Sequence, residues 1–162
     1  MHGLSVRFPE SYGFRMDHDV VLIDGVCHLC NGLVRFIAAR DPAGRFRFAS
    51  LQSPAGRELA QGAGLAPGEL STVVLIERAN GSDPRASIRS TAVLRILAGL
   101  RFPWPVLSLA RIVPPFVRDP LYRWIARNRY RWFGRADVCS LPDPGLAGRF
   151  LENGVGDVSD SA

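Results

Sequence analysis

Two cysteines separated by two residues are the feature of this sequence that points most directly to chemistry. Cys27 and Cys30 follow the apolar run at residues 20–23, and apolar residues then recur at three- and four-residue steps. A buried strand therefore leads through a turn at Gly25 into a helix that begins near Cys27. A helix N-terminus favours a thiolate, which is the form of cysteine that attacks disulfides. The spacing and its context predict a redox-active dithiol.

The two thiols have different predicted roles. We expect Cys27 to be the more exposed nucleophile, helped by the neighbouring His28 if that ring is protonated. We expect Cys30, three residues on along the same helical face, to be the buried thiol that resolves a mixed disulfide. A half-exposed histidine without a catalytic role is the alternative interpretation of His28.

Asp24 ends the predicted strand three residues before Cys27, and a buried carboxylate needs partners. Two interpretations of it stay open. In one, Asp24 accepts a proton from Cys30 during resolution and so belongs to the catalytic group. In the other, it accepts N–H hydrogen bonds from the following turn.

A zinc site is a competing interpretation of the same cysteines. Cys27, Cys30 and the distant Cys139, together with His28 or Asp24, could supply four ligands of the kind that zinc prefers. Against this, the sequence lacks a second closely spaced ligand pair, and a lone cysteine such as Cys139 is usually a small buried hydrophobic residue. We therefore expect neither a metal nor another cofactor.

Composition limits the class of protein. The chain has 162 residues, of which 47% are hydrophobic, so one domain with an ordinary core is expected. Its 20 basic residues are all arginine, and the net charge of +5 favours acidic partners only weakly. Three cysteines do not suit a secreted disulfide scaffold, and neither a signal peptide nor a spanning apolar run is evident. We expect a cytoplasmic protein.

Hydrophobic periodicity and turn residues predict the element order β-α-β-α-β-β-α. The predicted strands are 20–24, 46–49, 71–77 and 85–88, and the predicted helices are 29–40, 53–61 and one capped by Ser90 or Thr91. A parallel β-α-β unit followed by a hairpin and a covering helix forms a thioredoxin-like α/β sandwich. We expect an irregular leader at 1–18, the core at 19–101, a C-terminal helical extension of the same domain at 102–142, and a flexible tail at 143–162.

The extension combines arginine with aromatic residues, which raises three interpretations. Nucleic-acid binding is one, but a helical stripe of Tyr122, Ile125 and either Ala126 or Arg129 favours a structural helix with arginine on its solvated face. Peripheral association with acidic lipids through Trp104, Trp124 and the arginines is another. The third is a non-catalytic interaction domain, which an exposed apolar patch at residues 104–116 would support.

Several segments resemble one known family. The motif D-G-V-C-H-L-C-N at residues 24–31 is similar to the signature of the thiol-disulfide oxidoreductase DCC family, which is named for D-x-x-C-x-x-C. The resemblance continues through F-R-F-A-S-L-Q-S at 46–53, R-S-T-A at 89–92 and a C-terminal block at 112–134, and covers about residues 19–142.

The resemblance implies a thioredoxin-like fold and protein-disulfide oxidoreductase activity. Asp24, Cys27 and Cys30 carry over from the family's motif as its site, and we expect His28, Gly25 and Asn31 to support them. Its partners would be a disulfide- or thiol-containing protein substrate and a thiol reductant. Ordinary thioredoxins place a cis-proline before the strand that faces the dithiol. Here that position is Leu70 or Ser71, so we expect substrate docking to differ.

Overall fold

The structure is a computed structural model, and it describes residues 4–5, 18–66, 72–77, 85–136 and 144–151. The elements in these residues follow the predicted order and add short segments at both ends. They are β1 (Leu4–Ser5), β2 (Asp19–Ile23), α1 (His28–Arg40), β3 (Phe46–Ser50), α2 (Pro54–Gly62), β4 (Val74–Glu77), β5 (Arg85–Ile88), α3 (Arg89–Ala98), a 3-10 helix (Trp104–Ile112), α4 (Pro115–Phe133) and a second 3-10 helix (Pro144–Arg149).

The strands form one mixed sheet in the order β1-β5-β4-β2-β3. Strand β2 is an interior strand, parallel to β3 on one side and antiparallel to β4 on the other, and β4 pairs antiparallel with β5. This is the thioredoxin-like arrangement, so the predicted fold class is confirmed.

Strand β2 is buried on both faces, which explains its uninterrupted apolar sequence. Val21 and Ile23 pack on one side of the sheet, in a cluster that includes residues of α1 and α3. Val20 and Leu22 pack on the other side, against α2. Two apolar layers thus hold the carboxyl end of β2, and with it the cysteine turn, in a fixed position.

The start of α2 follows its sequence signals. Ser53 caps the helix by accepting the Gly56 N–H at 2.9 Å, and Pro54 is the first helical residue. Helix α2 approaches β3 so closely that a Cβ on Gly56 would lie 1.8 Å from the Ser50 carbonyl oxygen. Only glycine fits there, and this contact sets the position of the β3–α2 turn.

The cap predicted for α3 is wrong. The helix begins at Arg89, after Ile88, with no side-chain cap. The Ser90 hydroxyl donates to the Asp119 carboxylate, and Arg118 donates to Ser90 and to Thr91 Oγ1 at 3.2 and 3.1 Å. These hydroxyls bind the extension to α3 because α4 brings a carboxylate and a guanidinium to them.

The leader and the tail are more ordered than predicted in the residues that the structure describes. Leu4 and Ser5 pair antiparallel with β5, so they are not irregular. Arg149 donates to the buried Asp41 carboxylate at 2.9 Å, and the Phe150 ring lies 5.7 Å from that of Phe48, so residues 144–151 are not a loose tail. A buried carboxylate requires a partner, and the tail supplies one for Asp41.

Candidate active site

Cys27 and Cys30 lie at the start of α1, where the sequence predicted them. Cys27 precedes the helix in an extended conformation, and its N–H donates to the Asp24 carbonyl at 3.2 Å. Both cysteines are free thiols, and a hydrogen bond links their side chains. The turn at the end of β2 therefore places the two sulfurs together.

The pair is strongly asymmetric in acidity. The hydrogen bond from the Cys30 thiol lowers the pKa of Cys27 to about 6, helped by the backbone N–H groups of Cys30 and Leu29 and by the positive charge of Arg129, while burial opposes the shift. The same hydrogen bond and burial raise the pKa of Cys30. The negative charge of the pair is therefore favoured on Cys27 and the proton on Cys30.

The predicted exposure of Cys27 is wrong. Cys27 has 0% of its surface exposed, and Cys30 has 4%. A segment at residues 134–136, here called the cover segment, lies beside Cys27: Arg135 forms an isolated antiparallel bridge with Cys27, and the Ala136 N–H donates to the Val26 carbonyl at 2.8 Å. This segment follows α4 and is more than 100 residues away along the chain, so local patterns could not reveal it.

Asp24 is buried and has partners on both carboxylate oxygens. Oδ1 accepts hydrogen bonds from the Val26 N–H at 3.2 Å and from Gln52 Nε2 at 2.9 Å. Oδ2 accepts from Arg129 Nη2 at 2.7 Å and from the Tyr130 hydroxyl. The hydrogen bond from the Val26 N–H is the one that the turn interpretation of Asp24 predicts. Proton transfer between Asp24 and Cys30 stays a prediction.

Arg129 is a further member of the site. The sequence indicated only that Arg129 could share a helical stripe with Tyr122 and Ile125. Its side chain is 4% exposed, as is that of Asp24, so the two form a fully buried ion pair. Burial disfavours the charge, but the hydrogen bond with Tyr130 and the negative charge of Asp24 raise the pKa of Arg129. An arginine on an otherwise apolar helical stripe was the available sequence signal.

The predicted supporting residues surround the same turn. The Gly25 N–H donates to Gln52 Oε1 at 3.0 Å, and Asn31 Nδ2 donates to the Gly25 carbonyl at 3.4 Å. Gln52 therefore joins Gly25 to Asp24, a role that the sequence did not assign. His28 is exposed, and a Cβ on Gly134 would lie 3.3 Å from its Cδ2, so the ring borders the cover segment.

Comparison with known proteins places the chain in a family. The family model for DCC1-like thiol-disulfide oxidoreductases matches residues 21–135. The chain belongs to this family. The uncharacterized protein YuxK of Bacillus subtilis is 45% identical over 132 residues, or 82% of this chain and 93% of YuxK. A chloroplastic DCC family protein of Arabidopsis thaliana is 45% identical over 137 residues, or 84% of this chain and 77% of that protein. No solved structure matches the chain.

The resemblance to the DCC family is therefore confirmed, and the matched segment runs from the strand before the dithiol to Arg135 in the cover segment. The family description supports thiol-disulfide oxidoreductase chemistry in general terms.

Beside the dithiol of this DCC1-like protein lies an apolar pocket of about 170 Å³. Cys30 and Arg129 line it, together with apolar residues of α1 and α3 and with Tyr122, Ile125 and Ala126 of α4. The sequence left open whether Ala126 or Arg129 shares a helical stripe with Tyr122 and Ile125. Both residues line this pocket, so both belong to that side of α4.

The backbone before β4 is already hydrogen-bonded within the protein. The Tyr122 hydroxyl accepts from the Val73 N–H and from Thr72 Oγ1, each at 3.0 Å, and burial raises the pKa of Tyr122. Leu70 and Ser71, where thioredoxins would place their cis-proline, lie outside the described residues. How a substrate docks at this edge therefore stays a prediction.

In the part of the chain that the structure describes, no three His, Cys, Asp or Glu side chains are grouped so that they could hold an ion. Cys139, which the zinc interpretation requires, lies outside those residues. In the same described ranges, no helix has the length and apolar character to cross a membrane.

Proposed function

We propose that this protein is a protein-disulfide oxidoreductase in which Cys27 is the nucleophile and Cys30 the resolving thiol. The observation that carries the proposal is the position of two free thiols, three residues apart at the start of α1, where their mutual hydrogen bond lowers the pKa of Cys27 and raises that of Cys30. A thiolate paired with a neutral thiol three residues on is the arrangement that disulfide exchange requires.

In the reducing direction, the Cys27 thiolate attacks one sulfur of a substrate disulfide, and the other substrate sulfur leaves as a thiolate. Cys30 then loses its proton and attacks the Cys27 sulfur, which releases the second substrate thiol and forms the Cys27–Cys30 disulfide. Two electrons pass to the substrate, and a thiol reductant restores the dithiol.

The buried ion pair has a supporting role in this proposal. Arg129 stabilises the Cys27 thiolate electrostatically, and Asp24 holds Arg129 through the 2.7 Å hydrogen bond. Asp24 also has the acid/base role predicted from the sequence, as the carboxylate that takes the Cys30 proton during resolution.

Turnover requires access to a sulfur that is fully buried in this conformation. The cover segment contacts the dithiol turn through the main-chain bridge between Arg135 and Cys27 and the hydrogen bond from Ala136 to Val26. We propose that a protein substrate displaces residues 134–136 when it binds, and that the reaction takes place in a reducing cytoplasm.

Turnover of a model protein disulfide with a thiol reductant tests the assignment of roles. Cys27→Ser abolishes turnover, whereas Cys30→Ser allows the first attack and accumulates a mixed disulfide that gel electrophoresis without reductant detects. Cys139→Ser is the matched control and retains turnover. Wild-type turnover by Cys27→Ser would refute the proposal.

The reduction potential of the Cys27–Cys30 couple gives the direction. A value of about −270 mV would indicate a reductant of the thioredoxin kind, and about −120 mV an oxidant.

A non-catalytic interaction domain is the second candidate, because residues 109–117 are exposed and mostly apolar. A cysteine pair that forms no intramolecular disulfide under oxidant would favour that candidate.

A further inference from the structure

In the residues whose burial the structure describes, the exposed large apolar side chains lie in one region. Every large hydrophobic side chain that is exposed among the described residues lies between positions 102 and 133. They are Phe102, Val106, Leu107, Leu109, Ile112, Val113, Phe116, Val117, Leu121, Trp124, Ile125, Trp132 and Phe133. We call this set the extension surface. Its extent exceeds the scattered single residues that are normal on a protein surface.

The extension surface has a protruding apolar tip. Residues 109–117 are all exposed, and Arg111 is the one charged residue among them. Ile112 is 83% and Phe116 77% exposed, more than most surface side chains of this size. Along α4, the rings of Trp124 and Trp132 lie 4.9 Å apart on the same side of the helix. The surface ends at Phe133, directly before the cover segment.

Positive charge surrounds these apolar side chains. The exposed arginines of the region are Arg101, Arg111, Arg123, Arg127, Arg131 and Arg135. The region contains one acidic residue, Asp119, and its carboxylate is hydrogen-bonded to Ser90. A surface of this kind attracts a partner whose outer layer is negatively charged and whose next layer is apolar.

We propose that the extension surface docks on a membrane that contains anionic lipids. Ile112 and Phe116 enter the boundary between headgroups and acyl chains, the two tryptophans lie at headgroup level, and the arginines contact lipid phosphates. Association of two copies through this face would bring like charges together. Nucleic acid would leave the apolar tip in water. Anionic lipid can contact both the apolar side chains and the arginines of the surface. This inference does not depend on the dithiol chemistry.

Co-sedimentation of the full-length protein with vesicles tests the proposal. Vesicles of phosphatidylcholine with one-third phosphatidylglycerol bind the protein, and pure phosphatidylcholine vesicles bind it at least about tenfold more weakly. Ile112→Ser with Phe116→Ser weakens binding to the anionic vesicles by about tenfold or more. Binding also falls as ionic strength rises, because salt screens the arginines.

Two further variants separate the charge contribution from a folding defect. Arg123→Gln with Arg127→Gln weakens binding several-fold, whereas Arg57→Gln, at an exposed position on α2, leaves it unchanged. Circular dichroism and thermal unfolding check that each variant is folded. Equal binding to both vesicle types, or no binding together with a concentration-dependent dimer that the Ile112 and Phe116 substitutions abolish, would overturn the proposal.

Discussion

The unequal acidity of the two thiols predicts an unusual dependence of stability on pH. In the folded reduced protein the pKa of Cys27 is about 6, mainly because the Cys30 thiol donates a hydrogen bond to it. In the unfolded chain both cysteines have a pKa near ~8.5. Between these values the folded protein has released the Cys27 proton and the unfolded chain has not. The free energy of unfolding therefore rises with pH across this interval.

The size of the effect follows from the two pKa values. A folded pKa of about 6 and an unfolded pKa of ~8.5 correspond to about 3 kcal/mol. This contribution is complete above pH ~8.5 and is lost as the pH falls through about 6. Above pH ~8.5 the stability declines again, because Cys30 ionises in the unfolded chain while burial and its hydrogen bond keep it protonated in the folded one. A stability maximum near pH ~8 is expected.

Urea denaturation in excess reductant, measured at several pH values, tests this reasoning. Below pH ~8 the difference in stability between wild type and Cys27→Ala reports the Cys27 contribution, since Cys30 is protonated there in the folded and the unfolded state of both proteins. Ultraviolet absorbance of the thiolate measures the Cys27 pKa directly, and Cys30→Ala raises that pKa. Parallel stability curves for wild type and Cys27→Ala between pH ~6 and ~8.5 would refute the reasoning.

Two further predictions concern the buried ion pair and the cover segment. Arg129→Met leaves the Asp24 carboxylate buried without its cation, and we expect chemical denaturation to show a loss of about 3–5 kcal/mol; a loss below ~1 kcal/mol would contradict the assigned importance of the pair. Gly134 has a φ of +81° and borders His28, so Gly134→Ala strains the cover segment and speeds alkylation of Cys27. Gly64→Ala is the matched control, because Gly64 has a φ of +71° with no atom within 4 Å of an added Cβ, and an equal rate in both variants would contradict a covering role for residues 134–136.

Local sequence patterns predicted most of the secondary structure. The apolar run of β2, the turn before Phe46 and the Ser53 cap of α2 each act over a few residues, and their elements were placed within one or two residues of the observed bounds. The prediction that Ser90 caps α3 failed because its hydroxyl donates a hydrogen bond to Asp119, 29 residues away.

The sequence by itself determined the dithiol, because its spacing and the strand and helix around it are local properties of residues 20–40. The tertiary structure decided what surrounds that dithiol. Tyr130 and Arg129 reach Asp24 across more than 100 residues of chain, and Arg135, just after α4, forms a backbone bridge with Cys27. Periodicity predicts which side of a helix is apolar, but not which distant carboxylate its arginine will meet. That choice follows from how α4 packs against α1 and α3, and it turned an expected exposed nucleophile into a buried one.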